Sequence, residues 1–173
     1  MHTVYGGAHL FRSSTAWKLG EIALRAFQRY APTPADLAEV IHIADPAVIA
    51  DIHNRVIRKL TDEPVEDYRI DFEDGYGYRP DKEEDEHAIQ CAREIAVGMR
   101  DKSLPPFFGF RVKSFDSETR KRGLRTLDLL LTALAGETGG RLPDNFMIAL
   151  PKVSDPEAVA TFVEVISLIE ERC

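Results

Sequence analysis

Six ionisable residues at the ends of three short apolar runs are the part of this sequence best equipped for chemistry. Asp71, Glu73 and Asp74 close the run that begins at Asp67 and are followed by Gly75-Tyr-Gly77. Arg111 and Lys113 close the run from Phe107, and Lys152 closes the run from Phe146. Carboxylates crowded at a strand end can accept protons, orient a water or stand in the outer shell of a metal. An arginine offers a planar fork for carboxylate or phosphate, and a lysine a point charge that holds an anion or stabilises a developing enolate. The same residue types also serve as turn formers, helix caps and structural ion pairs. The chemistry therefore depends on whether the three runs end in one place.

The elements around them answer that at the level of topology. Residues 3–5 read as a strand ending at Gly6-Gly7, and a helix is predicted over residues 16–30, stopped by Pro32 and Pro34. Residues 36–60 carry apolar positions at three- and four-residue steps, divided at Asp45-Pro46. Then strands over 68–73, 107–113 and 146–153 alternate with helices that follow Pro80, over 117–135 and over 155–171. In the first of these strands, alternation puts Asp71 and Glu73 on one face and Ile70, Phe72 and Asp74 on the other. The acidic run 81–87 suits the solvated first turn of a helix better than a metal site. The nearly continuous apolar run from Phe146 suits a strand buried on both faces. Strand-helix alternation of this kind predicts parallel βαβ units, whose strand ends share one face, so all six residues converge there.

Composition bounds the rest. The 173 residues suit one domain, and 44% hydrophobic with 29% charged residues is ordinary for a globular protein. A net charge of −7 disfavours a nucleic-acid partner, and no run of 18 apolar residues suggests a membrane span. Cys91 and Cys173 match no metal or redox spacing and read as free thiols in a reducing compartment, the cytoplasm being the simplest expectation. The five histidines form no ligand spacing. His9 alone, just past the first strand, is expected near the active face.

Three strand endings carry a resemblance. Ile70-Asp-Phe-Glu-Asp74, Phe110-Arg-Val-Lys113 and Ala149-Leu-Pro-Lys-Val153, in that order and each followed by a helix, resemble strands two, three and four of the HpcH/HpaI aldolase and citrate lyase β-subunit family, whose usual forms are Asp-Leu-Glu-Asp, Arg-Val-Asn and Leu-Pro-Lys-Val. The resemblance implies the first four βα units of a (β/α)8 TIM barrel of the phosphoenolpyruvate/pyruvate superfamily, incomplete at residue 173, with an extra helical insertion between strands one and two. A full barrel takes about 250 residues and eight units. Lys113 in place of Asn, Gly75-Tyr-Gly-Tyr after the acids, and the insertion depart from the pattern.

By position, the resemblance makes Glu73, Asp74 and Lys152 the catalytic candidates and Arg111 and Lys113 the substrate-binding ones, with no metal ligand in this stretch. It implies a Mg-dependent lyase that makes or breaks carbon–carbon bonds through an enolate of a 2-oxo acid or acyl-CoA ester, with coenzyme A as part of the substrate in the latter case. The Mg2+ ligands are expected beyond residue 173. The piece by itself is expected to be inactive and to associate, as a homo-oligomer or through its uncovered half-barrel face. A phosphoenolpyruvate-type phosphotransferase and a non-catalytic binding or scaffold fragment are the alternatives.

Overall fold

The computed structural model describes residues 1–172. Four strands, β1 (Thr3–Gly7), β2 (Asp67–Asp71), β3 (Phe107–Arg111) and β4 (Phe146–Ala149), form one all-parallel sheet in the order β1-β2-β3-β4. A single 3-10 turn (Ala8–Leu10) leads from β1 to three helices, α1 (Thr15–Tyr30), α2 (Pro34–Ile41) and α3 (Pro46–Asp62). β2 is followed by α4 (Asp81–Asp101), β3 by α5 (Arg120–Thr138) and β4 by α6 (Pro156–Arg172). The α/β class and the helical stretches between the first two strands are as expected. No helix among the described residues is long and apolar enough to cross a membrane.

Alternation along the strands divides the sheet into two unlike faces. Val4, Tyr68, Ile70, Phe108, Phe110, Phe146 and Ile148 join a core with Ala88, Ala92 and Ile95 of α4, Leu127, Leu130 and Leu134 of α5, and Phe162 and Ile169 of α6. The intervening positions, Tyr5, Asp67, Arg69, Asp71, Arg111 and Met147, make the other face polar, and Tyr5 and Met147 are exposed on it. Arg69 lies flat there. Its guanidinium is 2.9 Å from where a Gly109 side chain would begin, and it donates to Asp67 (2.9 Å) and to Met147 Sδ (3.3 Å).

A second, small core joins α1 to α2 and α3, in which Ala31, Leu37 and Ile49 pack with Phe27 and Ile52. Thr33 and Asp36 cap α2 reciprocally, and Asp45 caps α3 with Pro46 at its first position. The Asp45-Pro46 division predicted from sequence is therefore the start of α3. Cys91 is a buried free thiol whose pKa burial pushes upward; Cys173 lies outside the described residues.

Four expectations are corrected. The strands end earlier than 73, 113 and 153, so Glu73, Asp74, Lys113 and Lys152 stand on the loops that follow them. β4 is an edge strand, half-buried rather than enclosed on both faces. The helix predicted from residue 117 begins at Arg120, because Asp116 Oδ1 accepts the N–H groups of Glu118 (2.9 Å) and Thr119 (2.8 Å) and holds a turn there. The acidic opening of α4 is not wholly solvated, since Glu84 has no exposed surface.

Candidate functional site

β2 ends because its last side chain competes for the backbone. Asp71 accepts the N–H of Glu73 (2.9 Å) and of Gly75 (2.8 Å), turning the chain off the sheet just after Phe72. Gly75 permits this closeness, since a Cβ there would sit 2.7 Å from an Asp71 oxygen. Arg111 is in register with Asp71 on the neighbouring strand and grips it with both prongs of its fork, Nε at 2.9 Å and Nη2 at 2.6 Å. Burial by itself raises the Asp71 pKa, but the Arg111 fork and the two backbone donors together hold the carboxyl below the usual range.

The rest of the cluster assembles on that pair. The Arg111 guanidinium lies over the Tyr5 ring, 4.7 Å from its centre, as a cation does on an aromatic face. Its Nη1 is 3.3 Å from Glu73 and its Nη2 3.8 Å from Asp74. Lys152, three residues past β4 and in the left-handed backbone region (φ 52°), reaches back across the sheet. Its Nζ is 2.8 Å from Glu73 and 3.1 Å from Asp74, and Glu73 first, Asp74 second, push its pKa up to about 12. Glu73 thus bridges the two cations, Oε2 toward Arg111 and Oε1 toward Lys152. Both oxygens are shut off from solvent, yet neither contact has the alignment of a hydrogen bond. A cleft of about 300 Å³ opens beside them, bounded by Glu73, Asp74, Tyr78, Ser114, Asp116 and Lys152 among others.

Lys113 shares the wall of this cleft but turns its ammonium inward. It donates to the Phe72 carbonyl (2.6 Å) and to Glu84 (2.8 Å), and lies 5.0 Å from the centre of the Tyr76 ring. Glu84 also accepts from the Thr126 hydroxyl (2.6 Å) and faces Arg122 at 3.4 Å. This buried network ties the loop after β2 to α4 and α5. His9 stands behind the same loop, its ring against Tyr76 and His87 and its Nδ1 buried without a hydrogen bond. Burial, then Arg79 and His87, lower its pKa. Tyr76 Oη, kept protonated by burial, is 2.7 Å from His87 Nδ1.

Of the residues singled out in the sequence, Glu73, Asp74, Arg111 and Lys152 meet in one cluster, joined by Asp71. Residues 1–173 match the profile of a protein family described as a domain of unknown function, DUF6986. The chain belongs to that family. Neither the curated proteins nor the solved structures gave a match.

Two further properties of this DUF6986 site bear on what it can hold. No group of three or more His, Cys, Asp or Glu among the described residues could hold a metal ion, and the oxygens of Asp71, Glu73 and Asp74 already face Arg111 and Lys152. The described residues on their own do not fit Mg2+. Two cations, Arg111 and Lys152, against three carboxylates, Asp71, Glu73 and Asp74, leave the cluster one negative charge in excess. Sequence reasoning missed Tyr5 and Glu84. Tyr5 aligns with Arg69 in the β1–β2 register and so shares the face of Asp71 and Arg111, which only strand pairing reveals. Glu84 sits in an acidic run with nothing local to mark it as buried.

Proposed function

We propose that this chain supplies the anion-handling part of a carbon–carbon lyase site in a (β/α)8 barrel of the HpcH/HpaI aldolase and citrate lyase type. The observation that carries the reading is the meeting of Arg111, Lys152, Glu73 and Asp74 at the carboxyl ends of three adjacent parallel strands, where such barrels do their chemistry. The sheet's consecutive order, its polar second face and its two unpaired edges, β1 and β4, support barrel closure with further strands, from the same or a second chain.

In this reading Arg111, oriented by Asp71 and Tyr5, and Lys152 receive the carboxylate or thioester oxygen of a 2-oxo acid or acyl-CoA ester. Their charge then lowers the energy of the enolate that forms as the carbon–carbon bond breaks. Asp74, exposed on the cleft rim, is placed to exchange a proton with solvent. Mg2+ belongs to the proposal only through residues outside the described ones. A phosphotransferase would use Lys113 as a second cation beside Arg111. That ammonium is committed to Glu84 and Phe72, so no observation favours it. A cytoplasmic location remains part of the proposal, on the free buried thiol of Cys91.

The test follows the enolate and needs no knowledge of the second substrate. Full-length protein with Mg2+ in D2O is expected to exchange the methyl protons of pyruvate or of acetyl-CoA, read by NMR. Arg111→Lys, which keeps the charge but loses the fork, is expected to slow exchange by about 10²-fold or more. Absence of exchange with both compounds would refute the lyase reading.

A further inference from the structure

We propose that Glu73 is an internal placeholder: its carboxylate occupies the subsite that Arg111 and Lys152 form for a ligand carboxylate, and an incoming anion displaces it. The inference rests on the lyase reading only for the class of ligand. The geometry comes from the cluster.

Glu73 and Asp71 are both acids beside Arg111, but they are held in opposite ways. Asp71 takes two aligned donors from the Arg111 fork and two from the backbone, four bonds of 2.6 to 2.9 Å. It is part of the fold, closing β2. Glu73 presents one oxygen to each cation, Oε2 at 3.3 Å from Arg111 Nη1 and Oε1 at 2.8 Å from Lys152 Nζ, with no aligned hydrogen bond on either. A carboxylate ligand bridging the same pair would present its two oxygens in the same way.

Displacement also needs a side chain that can leave without taking the loop along. The Glu73 carbonyl accepts the N–H groups of Tyr76 (3.1 Å) and Gly77 (2.9 Å), so the backbone is fixed by its own turn. The carboxylate can then swing on its side-chain torsions into the cleft that Glu73 itself lines. Lys152 is more than half exposed and can follow a ligand at the cleft mouth. The charge arithmetic agrees. With Glu73 in place the cluster carries an excess of one negative charge, and a second carboxylate added beside it would raise that to two. An exchange of carboxylates keeps the excess at one when the Glu73 charge moves out to water.

The consequence is that the free protein masks its own anion subsite, and its apparent affinity is reduced by the fraction of molecules in which Glu73 has left. The measurement is calorimetric titration of acetate and of pyruvate into wild-type, Glu73→Ala and Glu73→Gln protein, with Glu73→Ala/Lys152→Met as the control and thermal melts to show that each is folded. Both single variants are expected to bind acetate at least about tenfold more tightly than wild type, with the gain lost in the double variant. Folded single variants that bind no better, or worse, overturn the placeholder; if wild type binds pyruvate in that case, the lyase reading survives alone. A gain for acetate with no proton exchange on pyruvate or acetyl-CoA leaves the placeholder standing and removes the lyase reading. No binding of either anion by any folded variant overturns the subsite itself.

Discussion

Replacing Lys113 by Met tests whether the buried network behind the site holds the loop that presents Glu73 and Asp74. The methionine keeps most of the apolar stem and removes the ammonium. Glu84, with no exposed surface, is then left with the Thr126 hydroxyl at 2.6 Å and Arg122 at 3.4 Å, and the Phe72 carbonyl loses its side-chain donor. Breaking one side of a buried pair costs about 3–5 kcal/mol. Because Arg122 still faces Glu84, the lower end applies, about 3 kcal/mol. For a chain of this size each kcal/mol lowers Tm by about 2–4 °C, so Lys113→Met is expected to melt about 6–12 °C below wild type. Glu84→Met should cost a similar amount. The double variant, with neither charge buried, should recover a large part of the loss, since apolar replacement of a whole buried pair is often neutral. Circular dichroism melts of the four proteins close the cycle. Single losses under about 1 kcal/mol, or a double variant that loses the sum of the singles, would show that Lys113 and Glu84 do not depend on one another and would remove the network as the support of the loop.

Asp71 has a folded-state pKa below its unfolded value of about 3.9, so its contribution is complete above that pH and is lost as pH falls through the folded value. Urea midpoints should therefore fall steeply in wild type below about pH 4 and less steeply in Asp71→Asn; parallel curves would contradict the assignment. A Cβ at Gly109 would lie 1.8 Å from the Met147 carbonyl oxygen and 2.9 Å from Arg69 Nη1. Gly109→Ala should thus cost at least the upper end of the usual 1–3 kcal/mol of overpacking, about 3 kcal/mol, and an unshifted Tm would refute the β3–β4 register.

What was legible in the sequence is what depends on period and punctuation. Alternating apolar positions, Pro32, Pro46 and Pro80 marked the elements, and parallel topology then brought three distant strand ends together. Strand ends were not legible, because side-chain to backbone bonds decide them. Asp71 turns the chain at Phe72, and Asp116 delays α5 to Arg120. Nor was the division of labour among the charges legible. Lys113 and Lys152 look alike as cations after strands, but one points inward to Glu84, a residue of α4 on another layer, and the other outward to Glu73.

Lys113 and Tyr76, far apart in sequence, meet behind the site. Lys113 lies on the loop after β3, and Tyr76 belongs to the Gly75-Tyr-Gly-Tyr stretch after β2. In the structure the Lys113 ammonium sits 5.0 Å from the centre of the Tyr76 ring, with the Arg79 guanidinium 4.8 Å from the same ring. An ammonium at that depth needs a counter-charge, which Glu84 provides, and Tyr76 adds an aromatic face beside it. Lys113, Glu84 and Tyr76 together pin the β2 loop from behind. The front of that loop carries the Glu73 carboxylate, paired with Arg111 and Lys152 without an aligned hydrogen bond, on a backbone fixed by its own turn.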